Sequence, residues 1–114
     1  MPTPKPGDVW LVRFPFTDLT TTKLRPALVL AAHGEDIIVM GIFSRVPPTP
    51  RATWVFVDGQ GATFGQTGLK KSSILKAEKI AVIHESIFQR RLGNLPRDLM
   101  ASVHEALKRA LFIT

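Results

Sequence analysis

Short apolar runs separated by turn-forming residues constrain the fold of this chain more than any other feature. Residues 9–16, 26–32 and 37–43 are such runs, and each is the length of a β-strand. Residues 53–58 alternate in the way a strand does, and residues 72–83 fit either a strand pair or one long bent strand. Three prolines within residues 46–50 exclude a helix or a central strand there. The pattern predicts a chain of short strands with no helices between them.

Helical periodicity is found only near the C-terminus. Asn94 is predicted to cap a helix whose first turn contains Pro96. Apolar residues then recur at helical spacing, at Leu99, Val103, Leu107 and Ala110. Together these patterns predict a mainly β protein with a C-terminal helix packed on a small antiparallel barrel or strongly curved sheet, in one domain spanning residues 1–114.

The composition narrows the classes of function. Fifteen lysines and arginines against nine acidic residues give a formal charge of +6, which favours polyanionic partners. The absence of cysteine excludes disulfides, thiolate zinc sites and cysteine nucleophiles. The N-terminal residues lack the apolar stretch of a secretory signal, and no apolar run is long enough to cross a bilayer. We therefore expect a cytoplasmic protein that does not bind membranes.

Arg25 is the most informative single residue. It stands directly before Pro26, at the start of the apolar run 26–32. An arginine at the mouth of a buried strand is costly unless its charge is needed, so the position indicates an anion-binding site. A structural ion pair with Asp18 or Glu78 is the competing interpretation.

The same residues carry a family signature. The segments GDVWLVRFPF, LRPALVL, IIVMGIFS and TGLKKSSILKAEKIAVI follow one another in the order and spacing of PemK/MazF toxins of type II toxin–antitoxin systems. The sequence therefore resembles that family from about Gly7 to the C-terminal helix. The resemblance implies an SH3-like small barrel of the PemK/CcdB type and a homodimer. It also implies a growth inhibitor that cleaves single-stranded mRNA at specific sequences, without a metal or cofactor.

The resemblance further implies partners and site residues. A cognate antitoxin is expected to inhibit the protein and, together with it, to bind operator DNA. The catalytic residues carried over are Arg25, Ser44, Lys76 and Glu78. The sequence departs from some relatives by having no histidine in residues 17–23 and by carrying Glu78 where they have aspartate.

These residues make chemical sense for RNA cleavage, because the 2′-hydroxyl of RNA is itself the nucleophile. The planar guanidinium of Arg25 suits two phosphate oxygens, and the hydroxyl of Ser44 can donate a hydrogen bond to one. Glu78 can serve as the general base if partial burial raises its pKa. Lys76 and Glu78 are two residues apart on a strand and point to the same face, so pairing between them would instead lower that pKa. The sequence leaves both outcomes open.

Cationic residues near the predicted strand ends form the expected RNA-binding surface, which should make binding strongly salt-dependent. The residues assigned to this surface are Thr17, Lys23, Arg45, Arg51, Lys70 and Lys71. Trp10 and Trp54 are predicted to fill the core or dimer contacts, with stacking of an unpaired base on Trp54 or Phe43 as the alternative. His33 and His104 are predicted to lie at the surface.

Two other functions remain open. A protein of the same fold can poison DNA gyrase without any nuclease site, in which case Ser44 and Glu78 would tolerate alanine. A non-toxic nucleic-acid-binding barrel is the second alternative, and survival of cells after induction separates it from both toxins.

Overall fold

Strands dominate the computed structural model, which describes residues 3–13 and 23–113. The elements are β1 (Asp8–Arg13), β2 (Leu24–His33), β3 (Asp36–Phe43), β4 (Trp54–Val57), β5 (Ser73–His84), β6 (Phe88–Asn94) and the helix α1 (Arg97–Leu111), with 3-10 turns at Phe64–Thr67 and Glu85–Ile87. The strands form one antiparallel sheet in the order β4-β5-β3-β2-β1-β6. The prediction of a mainly β protein with a C-terminal helix is confirmed. The sheet is not closed, because within the described ranges β4 and β6 each pair with one neighbour only.

Each face of the sheet carries its own apolar cluster, as the alternation of side chains along a strand requires. The helix covers the first face, where Val103 and Ala106 pack with Val9, Leu28 and Met40. The opposite face, which we call the second face, carries the cluster formed by Trp10, Val12, Ala27, Val29, Ile37, Val39, Ile83 and Phe88. Trp10 is buried there with its ring edge-on to Phe88, as a core position requires.

A large bulge in β5 shapes one end of the sheet. The β3–β5 register runs from Met40↔Ile80 directly to Ile42↔Leu75. One residue of β3 therefore faces four residues of β5, and residues 76–79 bend away from the ladder. The sequence left a strand pair or one bent strand open for this segment, and the structure has the bent strand. The bulge carries Lys76 and Glu78.

One local prediction differs from the structure. Asn94 does not cap the helix: it ends β6 opposite Asp8, and Pro96 occupies the N-cap position without a side-chain hydrogen bond. The glycine-rich stretch 59–68 contains the 3-10 turn Phe64–Thr67, which packs against β6. Gly93 permits this packing, since a Cβ there would lie 2.1 Å from the main-chain oxygen of Gln66.

The other boundaries follow the sequence closely. The apolar run 26–32 lies in β2 and is fully buried only at its centre, from Ala27 to Val29. Residues 84–93, whose sequence fits either a helical turn or a short strand, contain the 3-10 turn Glu85–Ile87 and most of strand β6. No helix within the described parts of the chain has the length and apolar character needed to cross a bilayer.

Candidate functional site

One end of the sheet gathers most of the residues predicted to act on an anion. Phe43, the last residue of β3, pairs with Ile74 near the start of β5. The exposed residues Ser44 and Arg45 follow β3, while Lys70 and Lys71 precede β5. Lys23 lies just before β2, the neighbour of β3 on its other side. These side chains therefore project from adjacent strand ends, as the sequence predicted. Thr17 lies outside the described residues.

Arg25 belongs to this same end. Its partner in β1 is Val12, whose side chain lies in the cluster of the second face. Continuing the β2–β3 register by two residues beyond Ala27↔Gly41 brings Arg25 level with Phe43. Arg25 therefore lies on the second face at the margin of its apolar cluster, and the residue is partly exposed.

Trp54, at the start of the edge strand β4, is the centre of the site. Its register partner is Lys76, and the Lys76 ammonium lies 4.8 Å from the Trp54 ring centroid and 4.8 Å from that of Phe43. The Arg51 guanidinium lies 5.1 Å from the Trp54 ring centroid. Two cations therefore flank one indole, in the arrangement that the negative face of an aromatic ring favours.

Glu78 completes the cluster from the β5 bulge. The Trp54 Nε1–H donates to its Oε1 at 2.8 Å, and the Thr53 hydroxyl donates to its Oε2 at 2.8 Å. A guanidinium nitrogen of Arg51 lies 3.5 Å from the same Oε2. Both carboxylate oxygens of Glu78 therefore already have partners within the protein.

These contacts decide the protonation state of Glu78. Partial burial of the carboxyl acts to raise the pKa of Glu78, but hydrogen bonds from Thr53, its own backbone and Trp54, with the charge of Arg51, outweigh it. The pKa of Glu78 is therefore lowered below its ordinary value. The general-base interpretation required a raised pKa, and the structure does not provide one. Glu78 is ionised at neutral pH and is a weakened proton acceptor.

The structure corrects two expectations about this cluster. Trp54 is not a core residue: Val55 and Val57 fill the core, while Trp54 and Phe56 point to the opposite side and Phe56 is 52% exposed. The alternative prediction, that Trp54 makes dimer contacts, stays a prediction. The ion pair of Glu78 is made by Arg51 and not by Arg25 or Lys76. Lys76 and Glu78 do share a face, as their spacing predicted, but they meet through Trp54. No pattern in the sequence pointed to Thr53.

The histidines lie elsewhere. His84 is at the far end of β5, where its Nδ1 accepts from the Ser86 N–H and its Nε2 lies 2.9 Å from a carboxylate oxygen of Glu35. His33 and His104 are exposed, as predicted. None of the three joins the cluster around Trp54.

Comparison with solved structures places the fold among known toxins. Mycobacterium tuberculosis toxin MazF-mt6 is 21% identical with a TM-score of 0.74, over 94% of this chain and 98% of that one. MazF from Deinococcus radiodurans is 22% identical with a TM-score of 0.74, over 99% and 100%. An endoribonuclease in complex with its cognate antitoxin, from a mycobacterial species, is 19% identical with a TM-score of 0.72, over 97% of both chains. At these identities the similarity establishes the fold.

The sequence itself establishes the family. No curated protein matches the chain significantly. A family model described as "PemK-like, MazF-like toxin of type II toxin-antitoxin system" matches residues 5–111, nearly the whole length. That match covers all six strands and the helix that position the cluster around Trp54. The chain therefore belongs to the PemK/MazF-like toxin family of type II toxin–antitoxin systems.

Proposed function

We propose that this protein is an endoribonuclease that cleaves single-stranded mRNA at specific sequences through attack of the 2′-hydroxyl. The observation that carries the proposal is the grouping of Arg51, Lys76 and Glu78 around Trp54, at the end of the sheet where Arg25 emerges. Membership of the toxin family supports it.

The chemistry requires little from the protein. RNA supplies the nucleophile, so neither a metal-bound water nor a protein nucleophile is needed. Arg25 would hold the phosphate oxygens and stabilise the charge that develops on them, a role whose loss typically costs about 10²–10³-fold in turnover. Lys76 would add a second positive charge, and Ser44 a hydrogen bond from its hydroxyl.

The surrounding surface suits an extended polyanion. Lys23, Arg45, Lys70 and Lys71 lie at neighbouring strand ends. Around Trp54, two cations face one carboxylate, so the local charge is positive. Unpaired bases can lie on the partly exposed aromatic rings while phosphates contact these cations, a combination typical of single-strand binding.

The partners are proposed from the family and from the printed names of relatives. Deinococcus radiodurans MazE–MazF and the mycobacterial endoribonuclease were solved with antitoxins. We propose that a cognate antitoxin inhibits this protein in the cytoplasm, that the toxin acts as a homodimer, and that the complex with the antitoxin binds operator DNA.

The test is cleavage of RNA by the purified protein in EDTA. We expect products with a 2′,3′-cyclic phosphate and a 5′-hydroxyl, and Arg25→Ala should abolish them while its circular dichroism spectrum and melting temperature stay close to those of the wild type. Intact RNA across varied sequences and salt concentrations would refute the proposal. Inhibition of DNA gyrase by such an inactive protein would identify the alternative poison.

A further inference from the structure

Trp54 places a large aromatic ring at the surface of the edge strand β4, where it does not contribute to the core. Val55 and Val57 supply the core contacts of β4. The Trp54 indole lies on the opposite side of the strand and is only partly buried. Its ring nitrogen is nevertheless fixed by a 2.8 Å hydrogen bond to an ionised carboxylate.

We infer that the Trp54 ring is the stacking surface for one unpaired base of the RNA substrate, and that Glu78 is the positioning residue that holds this ring. The inference rests on the proposed function and names the part of the site that binds a base. It also removes Glu78 from the role of proton acceptor.

The hydrogen bonds of Glu78 argue for positioning. Each carboxylate oxygen accepts a bond of 2.8 Å, one from Trp54 and one from Thr53. Taking a proton from a 2′-hydroxyl would neutralise the carboxylate and weaken both of these charge-assisted bonds, and with them the hold on the indole. A carboxylate that fixes a ring and stays ionised is suited to orientation instead.

Displacement of the Arg51 guanidinium from the Trp54 ring by an RNA base is favourable. The Arg51 side chain is 66% exposed, and its contacts are one ion pair of 3.5 Å and one ring contact of 5.1 Å. Exposed contacts of both kinds contribute little in water. A base stacked on an aromatic ring strengthens single-strand binding roughly ten- to hundredfold. The base would therefore displace the guanidinium, which is then available to a neighbouring phosphate.

Lys76 sets the direction in which the RNA strand crosses the site. Its ammonium lies 4.8 Å from the ring centroids of both Phe43 and Trp54, and Arg25 is level with Phe43 by register. A base on Trp54 would thus lie on one side of Lys76 and the phosphate held by Arg25 on the other. The stacked base belongs to a nucleotide close to the cleaved bond, and because every base has a face that can stack, Trp54 contributes to affinity and to placement of the RNA.

Binding to uncleavable RNA tests the stacking. The probe is RNA made with 2′-O-methyl nucleotides, of the mapped cleavage sequence or, if none is cleaved, of the sequence that binds most tightly, and intrinsic tryptophan fluorescence is the signal. We expect the RNA to quench the wild-type protein but not Trp54→Leu, which retains only the buried Trp10. Trp54→Leu should bind roughly ten- to hundredfold more weakly, and Val82→Ala, an exposed residue near the far end of β5, should bind like the wild type.

A scan with single abasic nucleotides identifies the base. One abasic position should weaken wild-type binding by the same factor as Trp54→Leu and should cost nothing further in that variant. RNA binding that does not quench the tryptophan fluorescence would overturn the inference. It would also be overturned if every abasic position weakened binding to Trp54→Leu as much as it weakens binding to the wild type. If Trp54→Leu folds poorly, the wild-type protein still tests the inference, since RNA should quench its fluorescence and one abasic position should abolish that quenching.

Kinetics of Glu78→Gln test its role as a positioning residue. We expect an increased KM, a turnover rate within about tenfold of the wild type and an unchanged acid limb of the pH profile. A turnover rate reduced by about a hundredfold or more, together with loss of that limb, would make Glu78 the general base and overturn the assignment. If the protein cleaves RNA but no base stacks on Trp54, the inference fails and the proposed nuclease stands. If a base stacks on Trp54 but the RNA is never cleaved, the proposed nuclease fails and the stacking stands.

Discussion

Replacing Glu78 by alanine should destabilise the protein by about 2 kcal/mol, although the carboxylate is at the surface. The change removes the acceptor of two side-chain hydrogen bonds and one partner of an ion pair. A hydrogen bond to a charged group contributes about 1.5–3 kcal/mol when buried. The Glu78 side chain is 33% exposed, so we take about 1 kcal/mol for each bond. The ion pair with the exposed Arg51 adds at most about 0.5 kcal/mol.

The assay is urea denaturation at one fixed protein concentration, with Glu105→Ala as the matched control. Glu105 is also an exposed glutamate with a cationic partner, but its contact with Lys108 is 3.6 Å long and joins adjacent turns of a helix. Such a pair contributes about 0.3 kcal/mol, which the better helix propensity of alanine offsets. Equal stability of Glu78→Ala and Glu105→Ala would refute the view that Glu78 organises the site. A melting-temperature decrease of roughly 8 °C for Glu78→Ala alone would support it.

Further predictions follow from pH, buried charge, close packing and salt. The pKa of Glu78 is lowered in the folded protein, so its stabilising effect is present above about pH 4.5 and is lost as pH falls through the folded pKa. The wild-type protein should therefore be more stable than Glu78→Gln at neutral pH but not in acid. A stability difference that persists in acid would contradict this. Asp8→Ala should cost about 2–3 kcal/mol in urea denaturation, since Asp8 is 4% exposed and bonded to Arg91 at 3.2 Å. Gly93→Ala should cost about 3 kcal/mol or more because a main-chain oxygen lies 2.1 Å from the new Cβ; alanine at Gly65, where nothing lies within 4 Å, should be tolerated. The affinity for RNA should decrease steeply with salt, with a slope smaller by about 0.7 for each phosphate contact removed from the cationic strand ends; an affinity independent of salt would exclude those contacts.

Local patterns predicted the strands and the helix well, because the spacing of apolar residues within a short segment is enough to distinguish a strand from a helix. Alternation and apolar runs indicated the strands, and helical spacing with basic residues near the end indicated α1. The Asn94 cap failed because pairing of β6 with Asp8 takes that residue into the sheet. Tertiary pairing overrides a capping preference of about 1 kcal/mol.

The arrangement of the site depends on pairing between distant segments, so the sequence predicted its members but not their contacts. A period of two along β4 indicates two faces without saying which one is buried, and the prediction of a core position for Trp54 chose the wrong face. Glu78 meets Thr53 and Trp54 only because β4 pairs with β5 at the bulge. The expected contact of Glu78 with Lys76 ignored the ring that separates them.

The bulge in β5 also bears on which positions of the sheet can change independently. Residues 76–79 have no partners in β3, so a substitution at an exposed position there leaves the register of the central ladder intact, whereas a one-residue slip elsewhere would turn every following side chain to the other face. The bulge is still tied to the edge strand, because Lys76 pairs with Trp54 and the Ala77 N–H donates to the main-chain oxygen of Thr53. Side chains on its surface can therefore be exchanged while β4 keeps its place beside β5.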